Sequence, residues 1–194
     1  MAATYHYLFL TLARVQAPHQ ALAERVRGFA DGEIIGQFAP QLGWANNEAA
    51  VLLRGGAVAP TSLIAPPLVT SSRLDVLTPT IRPADADRPA PLGIFVHRWF
   101  EVDAGATDEF VALSGEAWPH FEAEFDTRIF GLFRAAESDE DRAKGVVRHL
   151  LITGYRDHSV WEASREPTTQ AGSAFQRRHQ VTRRTWAAST RLVR

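Results

Sequence analysis

Short apolar runs, each closed by a turn signal, divide this chain into strands and helices. Residues 5–13 (YHYLFLTLA) are aromatic and aliphatic, with strand character. Pro18 opens a helical stretch over residues 19–29, where Leu22, Val26 and Phe29 fall on one face. Gly32 breaks it. Residues 33–44 then read as a strand, Asn46-Asn47 as a turn, and residues 49–54 as the returning strand, ended by Gly55-Gly56. Seven of the eleven prolines lie between Pro60 and Pro91. Pro60, Pro66 and Pro67 together exclude a long regular helix, so the pattern predicts a short helix or irregular crossover before a strand at residues 74–81. The polar stretch 82–91 (RPADADRPAP) has the composition of a linker.

The second half repeats the order more cleanly. Residues 92–102 (LGIFVHRWFEV) read as a strand, and Thr107 as the N-cap of a helix with Asp108 and Glu109 in its first turn. Phe110, Leu113 and Ala117 mark its apolar face, and Pro119 is expected to kink or restart it before Phe121 and Phe125. A strand at 128–136, a solvated loop at 137–144 (ESDEDRAK) and a strand at 146–155 follow. Ser159 and Glu162 have capping-box spacing for a helix carrying Val160 and Trp161. A last helix is expected over 171–184 and a final strand over 186–193.

The two halves share a signature. Ile34-Ile35-Gly36-Gln37-Phe38 return as Ile129-Phe130-Gly131-Leu132-Phe133, 95 positions later, with Asp31 and Asp126 each three residues ahead. Each half reads β-α-β-β-α-β, the first with its second helix degraded by proline, which is the ferredoxin-like order. A four-stranded sheet with helices on one face leaves the other face apolar. The expected fold is therefore α+β: tandem ferredoxin-like repeats packed sheet to sheet as an intramolecular barrel. Residues 1–82 form the first repeat, 83–91 the linker and 92–194 the second.

Composition narrows the chemistry. The chain has 194 residues, 45% of them hydrophobic, enough for a sizeable core. It has no cysteine, so disulfides, thiolate metal sites and a cysteine nucleophile are excluded. A net charge of −1 offers no overall field for nucleic acid. No apolar run spans a bilayer and the first residues lack a basic leader, so a soluble, cytoplasmic protein is expected.

At Ile94-Phe95-Val96-His97-Arg98-Trp99-Phe100, Asp103-Ala104-Gly105 and Asp108-Glu109-Phe110, the sequence resembles the NIPSNAP family. Residues 129–133, 155–165, 175–178 and 190–192 support the resemblance, which covers nearly all of the second half and the first half faintly. Val96 stands where the family pattern carries Glu, and Ala104 where it usually has Pro. The resemblance implies a dimeric α/β-barrel fold and no settled reaction.

His97-Arg98-Trp99 is the most suggestive cluster. On a strand, His97 and Trp99 share one face while Arg98 and Phe100 share the other. With Tyr155 they are the candidates for a pocket taking an apolar, aromatic or anionic small molecule in the barrel. The competing reading pairs Arg98 with Glu101 or Asp157 and makes Trp99 core. His6 aligns with His97 across the repeat, and such a pair could flank a shared cavity or supply a haem ligand, the alternative being two imidazoles bonded to backbone. No metal is expected, since His120, His149, His158 and His179 lack ligand spacing, and no cofactor is expected, with haem as the alternative. The acidic run Asp139-Glu140-Asp141 reads as a solvated tip, and Gly55-Gly56 lacks a phosphate-loop context.

After Glu166 the chain has no acid and six arginines, of which Arg183 and Arg184 are read as opposing a helix dipole. No nucleic-acid partner is expected. Trp44, close to a hairpin turn, is a candidate anchor for a homo-oligomer contact. Beside small-molecule binding stand two alternatives, a cofactor-free or haem-dependent oxygenase and a non-catalytic interaction scaffold.

Overall fold

Strand alternation, applied twice, builds a closed barrel. The computed structural model describes residues 3–55, 60–166 and 170–193; Gly56 and Arg194 lie outside them. The first half forms β1 (Tyr5–Leu12), α1 (Pro18–Arg27), β2 (Glu33–Leu42), β3 (Glu48–Arg54) and β4 (Val69–Pro79). The second forms β5 (Ile94–Asp103), α2 (Thr107–Glu124), β6 (Thr127–Ala135), α3 (Asp139–Lys144), β7 (Val146–Tyr155), α4 (His158–Ala163), α5 (Gln170–Gln180) and β8 (Thr182–Val193). The strands close in the order β1-β3-β2-β8-β5-β7-β6-β4, antiparallel throughout. Two ferredoxin-like sheets thus join edge to edge through β2·β8 and β4·β6. Among the described residues no helix is long and apolar enough to cross a membrane.

The repeat found in the sequence is a structural device. In each half the ladder shifts register at the shared glycine, between Ile34 and Gly36 and between Ile129 and Gly131. Such an irregularity bends a strand and sharpens its twist, which barrel closure requires. The aromatic two residues on then folds over the bare backbone. A Cβ on Gly36 would meet the Phe38 ring at 2.9 Å, and one on Gly131 the Phe133 ring at 3.0 Å.

Three apolar clusters fill the fold. One is the lumen, lined from both halves by Tyr5, Tyr7, Phe38, Phe95, Trp99 and Phe133. The others lie outside the sheet, beneath α1 in the first half and beneath α2 and α5 in the second. Where the first half lacks a second helix, Leu63 and Leu68 of the proline-rich crossover pack with Leu22 of α1. Arg25 ties that crossover down by donating to the carbonyls of Ala65 (2.6 Å) and Leu63 (3.4 Å).

Several local expectations are corrected. Thr107 is the first helical residue, its hydroxyl donating to the Ala104 carbonyl, and the N-cap is Ala106. α2 continues through Pro119, sacrificing one backbone bond while Phe110, Ala117, Trp118 and Phe121 hold it to the core. Residues 139–144 are helical because Ser138 and Asp141 form the capping box that was sought at Ser159. α4 is instead capped by Asp157, which accepts from the Val160 amide at 3.0 Å. α5 ends at Gln180, and Arg183 and Arg184 stand on β8, where Arg183 pairs with Asp103 and Arg184 lies over Trp186. β4 begins at Val69, earlier than its apolar run, because Ser71, Ser72 and Arg73 pair with β1.

Candidate functional site

Alternation along β5 sends its residues to two separate places. Phe95, His97 and Trp99 enter the lumen, while Val96, Arg98 and Phe100 face the helices. The triplet singled out in the sequence is thereby divided.

The lumen is a packed core. His97 is 1% exposed and carries a complete hydrogen-bond set. Thr190 Oγ1 donates to the Phe95 carbonyl at 3.1 Å, so a lone pair of that hydroxyl is what meets His97 Nε2 at 3.2 Å. Nε2 therefore bears the ring proton, and Nδ1 accepts from the Tyr7 hydroxyl at 2.8 Å. Burial presses the His97 pKa to about 3 and raises that of Tyr7 well above its usual range, so both stay neutral. Phe38 and Trp44 ring the imidazole at 4.5 and 5.5 Å. Trp44 is thus turned inward onto Phe9 and His97 rather than outward as a subunit anchor, because its indole finds apolar partners there.

The cavity lies across the sheet from the lumen, under the helices of the second half, with a volume of about 980 Å³. Its floor is Arg98 and Phe100 of β5 with Leu151, Thr153 and Tyr155 of β7. α5 supplies Phe175 and Arg178, α2 supplies Trp118 and Phe121, and the residues after α4 form the rim. α5 is held against α2 by Ala171 and Ala174, small enough for close approach.

Two guanidinium groups dominate its electrostatics. Arg178 is stacked among Phe175 (4.5 Å), Phe100 (4.9 Å) and Phe110 (5.5 Å) and donates to Ser114 Oγ at 3.3 Å. Burial, then the charge of Arg98, lowers its pKa to about 9. Arg98 is lowered chiefly by burial, with the Tyr155 phenol acting against this. Burial raises Tyr155, opposed first by the Ser164 side chain and then by the charges of Arg98 and Arg178, so the phenol stands within the field of both cations. Neither arginine pairs with a carboxylate among the described residues, so the ion pair considered for Arg98 is absent; Asp157 pairs with Arg156 instead.

Of the candidates from the sequence, Arg98 and Tyr155 line the cavity together, while His97 and Trp99 lie in the lumen. His6 faces outward on β1, opposite to Tyr5 and Tyr7, and Tyr7 is the side chain that meets His97. The symmetric histidine pair does not form, because the register of β1 turns position 6 away from the lumen. Arg178 was hidden in the basic end of the sequence. The signal that could have found it is helical: Ala171, Ala174, Phe175 and Arg178 follow the i, i+3, i+4, i+7 stripe, placing a cation on an apolar face.

No cluster of three or more His, Asp or Glu among the described residues could hold a metal ion. Among the side chains that line the cavity, a phenol (Tyr155) and an imidazole are of the types that can ligate haem iron. The cavity's imidazole is His179, on an exposed position of α5, and His97 has both nitrogens committed across the sheet. The two guanidinium groups present fit an anion.

No family model matches the chain, and no curated protein matches it either. Solved structures do. An anthrone oxidase-like protein aligns with a TM-score of 0.68 at 14% identity, over 100% of this chain and 92% of its own. A proposed monooxygenase from Fusobacterium nucleatum subsp. nucleatum aligns at 0.67 and 8%, over 100% and 93%. A chlorite dismutase variant from Candidatus Nitrospira defluvii aligns at 0.65 and 9%, over 99% and 91%. At such identities the likeness is one of fold, and the chain has the dimeric α/β-barrel fold, with both ferredoxin-like units in a single polypeptide.

Proposed function

We propose that this protein binds a small molecule in the cavity between the second-half sheet and helices α2 and α5. A single observation carries the reading: a cavity of about 980 Å³ in which aromatic walls stand beside polar and charged side chains, lying where the fold leaves its helices unsealed. The lumen inside the barrel is filled by side chains, so the ligand site lies on the outer face of the sheet. The NIPSNAP resemblance fits a binding role of this kind, in a cytoplasmic protein able to self-associate. Native mass spectra beside denaturing spectra, with an absorbance scan of the same sample, test it. A bound mass lost on denaturation is expected. A clean apo mass that stays unshifted with aromatic compounds present would overturn the reading and leave an interaction scaffold.

A cofactor-free oxygenase is the second reading, supported by full-length likeness to proteins described as monooxygenase and anthrone oxidase-like. Oxygen uptake with polycyclic phenols, without added metal or flavin, separates it from simple binding.

A further inference from the structure

This chain gives its other partly buried arginines oxygen partners, backbone carbonyls for Arg25 and carboxylates for the rest. Arg54 pairs with Glu33, Arg82 with Glu122, and Arg148 with Asp75 and Asp141. The cavity is the exception. Beyond its backbone ladder, Arg98 has no side-chain hydrogen bond, ion pair or ring contact among the described residues. Arg178 has ring faces and one hydroxyl, which fix its plane but leave most of its five donors without a partner among the described residues. Glu166, at the rim, is exposed and forms no ion pair with either. Two like charges sharing one half-buried wall repel each other, and neither has a carboxylate among the described residues to offset its lost hydration. A protein tolerates this where a ligand supplies the missing negative charge.

The rest of the wall defines the body of that ligand. Phe100, Phe121, Phe175 and Trp118 present ring surface, and the volume far exceeds that of an inorganic anion. Tyr155, held protonated by burial, stands within the field of both arginines and can donate to the same ligand oxygen. We propose that the cavity recognises an aromatic acid, its flat apolar body against the phenylalanines and its carboxylate or phenolate between Arg98 and Arg178. This deepens the binding function proposed above and rests on it.

Isothermal titration of the full chain at fixed ionic strength with 2-naphthoate, its neutral isostere 2-naphthamide, and sulfate tests the proposal. Naphthoate is expected to bind roughly tenfold or more tightly than the amide, the worth of a charged hydrogen bond. Arg98→Met and Arg178→Met should each abolish that preference while leaving amide affinity within about threefold. Arg98→Met should also raise the melting temperature of the ligand-free protein by roughly 2–4 °C, since it removes an uncompensated charge. A structural arginine would lower it. Equal binding of amide and acid would overturn the aromatic-acid inference and leave the cavity reading standing. Sulfate displacing naphthoate at equal concentration would overturn the aromatic part. If neither naphthalene compound binds, both readings fall.

Discussion

His149 is fully buried against Phe110, and neither of its ring nitrogens finds a hydrogen-bond partner among the described residues. Burial, then the charge of Arg134, presses its pKa to about 4, with the Val147 backbone acting weakly the other way. The folded protein therefore keeps this imidazole neutral, while the unfolded chain takes up a proton below about pH 6.5. The stability is present above pH 6.5 and is lost as pH falls toward 4, by roughly 3 kcal/mol in total. His149→Leu should remove that part of the acid sensitivity and equal or exceed the wild-type stability at pH 7.5, since no polar atom is then left bare. Urea midpoints of both proteins between pH 5 and 7.5 decide it: parallel profiles would sink the argument. The residue scale was also where the sequence was hardest to read. Strand alternation separates His97 from Arg98, but only closure of the barrel decides which face is lumen and which is cavity. Tyr155 was legible as a candidate, whereas Arg178 needed the stripe on α5 to be read together with the strand it covers.

At the scale of elements, the repeated glycines do the same task under different constraints. A Cβ at Gly36 would meet Leu192 Cδ1 and the Phe38 ring at 2.9 Å, both ends of side chains that can turn aside. At Gly131 it would meet Pro83 Cδ at 2.6 Å and the Arg82 carbonyl oxygen at 3.1 Å, a rigid ring and a backbone atom. Alanine should cost stability at both, within the roughly 1–3 kcal/mol of overpacking, and more at Gly131 than at Gly36. Chemical denaturation of the two variants checks the order, and a costlier Gly36→Ala would mean the glycines serve something other than close approach. The duplication was visible because this need for bare backbone leaves an I-x-G-x-F trace in each half. Helix caps were less visible. Ser159 and Glu162 had the right spacing, yet Asp157 two residues earlier accepts from the Val160 amide and, in its other oxygen's reach, also holds Arg156. The acidic run at 139–141 looked like a solvated tip, but Asp141 is buried because it meets Arg148 on a neighbouring strand, a partner no local pattern reveals.

At the scale of the whole molecule, the halves are joined by two unequal seams. β2 meets β8 over five register pairs, and β4 meets β6 over three. The shorter seam is reinforced from within: Arg148 of β7 donates to Asp75 of β4 at 2.8 Å and to Asp141 of α3 at 3.1 Å, where the two carboxylates are 3% and 7% exposed. The lumen cluster likewise takes its aromatic residues from both halves, so this shared core is lost when either half unfolds, and each half is left with its outer cluster alone. The wild-type protein should therefore melt in one cooperative transition. Arg148→Met would leave Asp75 with Arg73 alone and Asp141 with its Ser138 amide alone at the weaker seam, with an expected loss of about 1.5–3 kcal/mol. A calorimetric scan with matched denaturant curves tests both points. Two resolved transitions in the wild type would make the halves independent domains. A near-neutral Arg148→Met would move the closure energy to the lumen aromatics alone, leaving the three-pair seam as a consequence of barrel packing rather than one of its causes.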